Sequence, residues 1–133
     1  MTPIIVPAYA AVLVLLYIYL AIRVIGLRRS RRIGIGHGGH ADLERAMRVH
    51  ANFSEYVPLA VLLLGFVEMQ GRPAWTVHVL ALALVVGRII HAVGVSQAAE
   101  DIRLRVSGVL LTFAVLAVAA VLLLYSGIRA TVG

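Results

Sequence analysis

Four apolar runs, at residues 4–27, about 52–67, 75–95 and 106–128, dominate this 133-residue chain and leave it few ways to fold. Each comes close to the roughly 20 residues that carry an α-helix across the hydrocarbon core of a bilayer. Charged residues make up only 14% of the chain, well below the roughly 25% of a soluble domain, and mean hydropathy is +0.98. The sequence therefore predicts an all-α membrane protein: one four-transmembrane-helix bundle over residues 1–133, with helices at about 4–27, 43–69, 74–95 and 103–128. No basic residue precedes the first run, and it exceeds the ~7–15 residues of a signal-peptide core, so it is expected to stay as the first helix.

There is no cysteine, so any thiol chemistry must use a thiol brought by a ligand. The net charge of +6 comes from twelve arginines and no lysine. Arg28, Arg29, Arg31, Arg32, Arg45 and Arg48 surround the first loop, Arg103 and Arg105 lie near the third, and only Arg72 and Arg129 fall on the other side. The positive-inside bias puts loops one and three in the cytoplasm and both termini outside. Topology and anionic headgroups account for the basic excess, and no nucleic-acid partner is needed.

Loop one, RRSRRIGIGHGGHADLE (28–44), reads as a solvated glycine-rich linker. Gly34, Gly36 and Gly39 match GxGxxG, but no strand precedes them, so the nucleotide-binding reading fails. His37 and His40 lack the further ligands a metal would require, and no metal site is expected. Asp42 is suited to cap the second helix, with Glu44 in its first turn where a carboxylate suits the helix dipole. Loop two, EMQGRPA (68–74), is a tight turn that makes helices two and three antiparallel neighbours. Loop three, SQAAEDIRL (96–104), is short and polar.

The stretch ERAMRVHANFSEYVP (44–58) carries charge into an apolar helix. Helical spacing puts Arg48, Asn52 and Glu55 on one stripe, with Arg45 a turn earlier and Tyr56 beside it. An ionised group at membrane depth costs at least ~2.5–3.5 kcal/mol on insertion scales, so these groups should face the bundle interior or a wet cavity. Arg88 and His91 share a face of helix three, and Arg103 and Arg105 open helix four at the same level. One reading is structural: Glu55 pairs with Arg88 or Arg48 and fixes helix register. The other is a pocket for a zwitterionic or anionic ligand, with guanidinium forks on carboxylates, Glu55 on an amine and Asn52 on an amide. Glutathione has all of these groups.

The same stretch resembles the signature of the MAPEG family, the membrane-associated proteins in eicosanoid and glutathione metabolism, which include microsomal glutathione transferases. VIGLRR (24–29) leaving the first helix, GRIIHAVG (87–94) closing the third and MQGRPAW (69–75) extend the resemblance over nearly the whole chain, and its character is that of the short bacterial inner-membrane branch. The resemblance implies a homotrimer with glutathione, as co-substrate, bound between subunits near the cytoplasmic end. Carried over, Arg28 and Arg48 hold its carboxylates, Asn52 and Glu55 its polar backbone and amine, and Tyr56 and His91 add hydrogen bonds. Arg103 best matches the arginine that activates the thiol, with Arg105 the alternative. His50 replaces a glutamine of synthase-like members, and His91 and Val95 replace tyrosines.

The implied function is a glutathione-dependent transferase or peroxidase acting on hydrophobic electrophiles that partition in from lipid. The alternative is a non-catalytic relative that binds lipid or thiol or assembles with other membrane proteins, a reading the lost tyrosines favour. A small drug-proton exporter fits less well, since its glutamate belongs in helix one and this helix one has none. His78 reads as an interhelical hydrogen bond, Tyr9, Tyr17 and Tyr19 as packing or interface anchors, and Pro58 as a bend that widens a pocket.

Overall fold

The computed structural model describes residues 2–132, which form four helices: α1 (Ile5–Arg31), α2 (Ala41–Met69), α3 (Ala74–Ser96) and α4 (Ile102–Val132). All four are long and apolar enough to cross a bilayer. The chain is thus an all-α membrane bundle. Helix starts fall within two residues of the sequence expectation, whereas α1 and α4 end four residues later. The extra turn of α1 is made of Arg28, Arg29 and Arg31, cations that suit the negative end of the helix dipole. Arg32 then stops the helix in the left-handed conformation (φ 56°), and the Ile33 N–H donates to the Arg28 carbonyl at 3.0 Å.

Packing follows narrow seams. Buried residues on α1 recur every seven positions, at Val6, Leu13 and Leu20, and on α4 at Gly108, Thr112, Val115 and Ala119. That spacing is the knob pattern of helices crossing at a shallow angle. Half of the most apolar stretch of α3 is buried against 17% of that of α1, so α3 is the most enclosed helix. Among the described residues α2 touches the other three helices, and α1 and α4 do not meet.

The α3–α4 contact is backbone on backbone. A Cβ on Gly108 would lie 2.6 Å from the Gly87 carbonyl oxygen and 2.6 Å from the His91 nitrogen, so only glycine fits. Small residues drive such contacts in lipid, where apolar burial alone does not favour helix association.

Polar groups fasten the ends. The N–H groups of Ile4, Ile5 and Val6, left without helical acceptors, donate to the carboxylate of Glu68 from the end of α2 at 2.7, 2.6 and 2.8 Å. Asp101 caps α4, accepting from the N–H groups of Arg103 (2.9 Å) and Leu104 (3.2 Å). For α2 the N-cap is His40, which makes no side-chain cap bond; Asp42 lies inside the first turn and pairs with Arg31 at 2.9 Å. The helix starts at Ala41, two residues before the expected start at 43, and the exposed Arg31–Asp42 pair ties its first turn to the end of α1. Loop one is more organised than a linker: Arg28 donates to the carbonyls of Gly34 (3.1 Å) and Gly36 (2.9 Å), and Gly36, Gly38 and Gly39 all have positive φ. His78 bonds the Tyr9 hydroxyl at 3.1 Å, the interhelical role expected of it. α2 continues through Pro58 to Met69.

Candidate functional site

At the end of the bundle that carries loops one and three, α2, α3 and the start of α4 enclose a cavity of about 330 Å³. α2 supplies Glu44, Arg45, Arg48 and Asn52, α3 supplies His91 and Val95, and Glu100 and Arg105 close the side. These residues meet because Glu44, Arg48 and Asn52 are spaced by four on one face of α2, while the Gly87–Gly108 contact presses α4 against α3 beside His91.

Arg88 stands behind the wall, 1% exposed. One terminal nitrogen donates to Thr112 Oγ1 at 3.2 Å and the other to Asn52 Oδ1 at 2.6 Å, while its Nε is buried without a partner. Among the described residues no carboxylate lies within 4.0 Å of it. The Arg88 bond fixes the oxygen of Asn52 and leaves its NH₂ without a partner among the described residues, so Asn52 can offer donors to the cavity it lines. His91 is 3% exposed and its Nδ1 is buried and unpaired. An unpaired buried polar atom costs about 1–3 kcal/mol, which is unusual outside functional sites.

The cationic wall is open for business with an anion on one side only. Arg105 is engaged by Glu100 at 2.6 Å, whereas among the described residues Arg45 and Arg48 have no carboxylate within 4.0 Å. Three cavity-facing guanidiniums against Glu44 and Glu100 leave an excess of one positive charge, with Arg88 adding to it from behind.

Of the residues singled out from sequence, the structure brings Arg48, Asn52 and His91 to one cavity. Arg28 is fastened to loop one and contacts Met47 Sδ at 3.4 Å. Glu55 is exposed and makes no ion pair among the described residues, so the expected register pair with Arg88 or Arg48 is not formed in the protomer. Tyr56 packs edge-on against Phe113 of α4, ring centroids 5.3 Å apart. Arg103 is exposed and lines a shallow depression at loop three that shares Glu100 with the cavity; Arg105 lines the cavity and Arg103 does not. Thr112 and Glu100 were missed; a hydroxyl in an otherwise apolar helix was the available signal for Thr112.

A second, apolar groove of about 310 Å³ runs between α1 and α2, with Tyr17, Phe53, Ser54, Val57 and Pro58 on its walls. The His50 ring stacks on Tyr17 beside it, centroids 4.9 Å apart. Pro58 lies on the wall of this groove and not of the polar cavity.

Comparison with known proteins places this architecture. Over 86 residues, 65% of this chain, the sequence is 38% identical to the inner membrane protein YecN of Escherichia coli K12, and equally to YecN of E. coli O6:H1 strain CFT073. The match spans 66% of the length of each relative, just under two thirds. The sequence pattern of the MAPEG family matches residues 6–125, which take in all the cavity-lining residues and most of all four helices, and the chain belongs to the MAPEG family.

Proposed function

We propose that the protein is a glutathione-dependent transferase or peroxidase of the inner membrane, working as a homotrimer on hydrophobic electrophiles. The observation that carries this reading is the cavity itself: unpaired guanidiniums of Arg45 and Arg48, a donor-only Asn52 and an unpaired buried His91 share one space of about 330 Å³. Glutathione suits this donor set. Its carboxylates match the guanidiniums, its ammonium matches Glu44, and an amide carbonyl matches the Asn52 NH₂.

Bound there, glutathione supplies the nucleophilic sulfur. The role of the chain is to hold it and to favour its ionised form. A thiol of pKa near 8.5 becomes mostly thiolate at neutral pH when a guanidinium lowers it by ~2 units, about 2.7 kcal/mol. Arg105 is the better placed of the two candidates within one protomer, and Arg103 serves if a neighbouring copy presents it. In transfer the thiol proton leaves to water and sulfur bonds to the electrophilic carbon; either the leaving group departs with its bonding electron pair, or a double bond at that carbon opens and the neighbouring carbon takes up a proton. In the peroxidase mode two thiols give up two electrons and form a disulfide, while a hydroperoxide becomes an alcohol and water.

The homotrimer is supported by the exposed edge of α2. Arg48 and Glu55 lie open on a single protomer at or near membrane depth, where lipid is a poor neighbour for either. A second copy covering that edge would take both groups out of lipid. Loops one and three face the cytoplasm on the arginine count. A second reading, a non-catalytic lipid- or thiol-binding member, is favoured by Val95 in the cavity wall, where synthase-like members have a hydroxyl.

The testing experiment is turnover of glutathione with a hydrophobic aryl halide and with a lipid hydroperoxide by purified protein. Product formation lost in Arg48→Ala supports the enzyme. Glutathione binding without turnover of either class selects the non-catalytic reading.

A further inference from the structure

On the flank of α1 away from the α2 groove, α1 and α3 form a cleft of about 470 Å³. Its two walls have the same construction. On α1 the lining residues are Leu16, Tyr19, Leu20 and Arg23, and on α3 Ile89, Ala92, Val93 and Ser96. Each set follows the spacing that keeps residues on one helical face across two turns, about 10 Å. Both sets begin apolar in the depth of the bundle and end polar, Arg23 beside Ser96, whose hydroxyl oxygen accepts from the Arg23 guanidinium.

Arg23 is the polar head of that cleft. It sits 18 residues past the start of α1 and opposite the last residue of α3, which puts it at the headgroup level of the leaflet on the loop-one side. Its guanidinium has five N–H donors, and its one hydrogen-bond partner among the described residues is the Ser96 hydroxyl. No carboxylate lies within 4.0 Å among the described residues. Arginine remains charged under all relevant conditions, so the position calls for an anion.

We infer that the α1–α3 cleft is a binding site for one anionic phospholipid, its phosphate on the Arg23 guanidinium and an acyl chain along Leu16, Leu20 and Ile89. A phosphodiester offers two oxygens to the guanidinium fork. Basic pockets between membrane helices at the leaflet surface are suited to anionic headgroups. A free phosphate ion would use only the head of the cleft and leave two turns of apolar wall to lipid in any case. A second copy of the chain is the less suitable occupant, because the unpaired polar edge of α2 that invites assembly, Arg48 and Glu55, lies beyond the opposite flank of α1. The inference is independent of glutathione.

Full-length protein in nanodiscs of phosphatidylcholine alone, and with phosphatidylglycerol added, tests it by melting temperature. The wild type should melt higher with phosphatidylglycerol. Ser96→Ala should lower the melting temperature in both compositions and keep the gain, because it removes the structural contact and leaves the charge. Arg29→Gln, an exposed arginine outside the cleft, should also keep the gain. Arg23→Gln should lose it, and should lose the phosphatidylglycerol adduct retained by the wild type in native mass spectrometry. A gain that survives Arg23→Gln, or no gain in the wild type, overturns the site. So does a gain reproduced by inorganic phosphate in phosphatidylcholine discs, or a disulfide-linked dimer formed efficiently by Tyr19→Cys, which would put a second copy of the chain over the cleft.

Discussion

Arg88 and Asn52 are joined by a 2.6 Å bond in which the arginine consumes the amide oxygen, and this one contact separates stability from binding. Asn52→Leu removes an acceptor from a buried cation and should lower stability by about 1.5–3 kcal/mol. Asn52→Asp restores an acceptor, with a charge opposite to that of Arg88, so the fold should be kept. It also replaces the cavity-facing NH₂ with oxygen and should weaken glutathione binding. Thermal melting with and without glutathione distinguishes the two variants, and parallel losses in both would show Asn52 to be structural only. In protein held as a monomer in detergent, Arg48→Ala and Glu55→Ala remove groups that are exposed and unpaired among the described residues, so melting without ligand should move by no more than a surface substitution does, about 0.5 kcal/mol. Arg48→Ala alone should then raise the glutathione Kd tenfold or more. Arg48, Asn52 and His91 were legible as a group because charge and amide in an apolar helix stand out. The partner of Arg88 was not: sequence offered Glu55, the only acid nearby in α2, and the fold instead uses two neutral oxygens, Thr112 and Asn52, turning Glu55 outward.

Helix existence could be read from hydropathy, whereas helix facing could not. In water the buried stripe of a helix contrasts with a polar face; in lipid the outward residues are as apolar as the inward ones. The heptad seam of α1 at Val6, Leu13 and Leu20 is therefore hidden among exposed Leu15, Ile18 and Ile22. Helix ends were legible within a few residues, but their fasteners depend on tertiary structure. Glu68 looked like part of a turn and caps a helix more than sixty residues away. Glu68→Ala strands three N–H groups and should lower stability by roughly 2–4 kcal/mol, more than Glu68→Gln, which keeps one acceptor oxygen but no charge. Equal, negligible shifts for both in a detergent melting series would contradict that capping role. Gly108→Val puts a branched side chain where a Cβ already meets backbone at 2.6 Å, so α4 must move off α3. Loss of folded protein by size-exclusion profile is expected, while Gly127→Val, with nothing near its Cβ, should behave as wild type.

Four membrane-crossing helices carry a cationic cavity at one end, so the proposed chemistry would be confined to one leaflet, with glutathione reaching it from water and the electrophile from lipid. The exposed α2 edge gives the assembly prediction: native mass spectrometry from mild detergent should report three copies, and a monomer would leave Glu55 facing lipid without explanation. Cysteine introduced at Gly38, in the exposed part of loop one, should react with impermeant reagents only from the cytoplasmic side of intact cells. The cavity is proposed to hold a thiol and to favour its ionised form. Ultraviolet difference absorbance of the protein with glutathione, at a pH well below the pKa of the free thiol, detects the bound thiolate. The account predicts a thiolate band that saturates with glutathione, disappears when S-methyl glutathione is used, and is reduced in Arg105→Ala while binding persists. Saturable glutathione binding in the wild type with no thiolate band would contradict it.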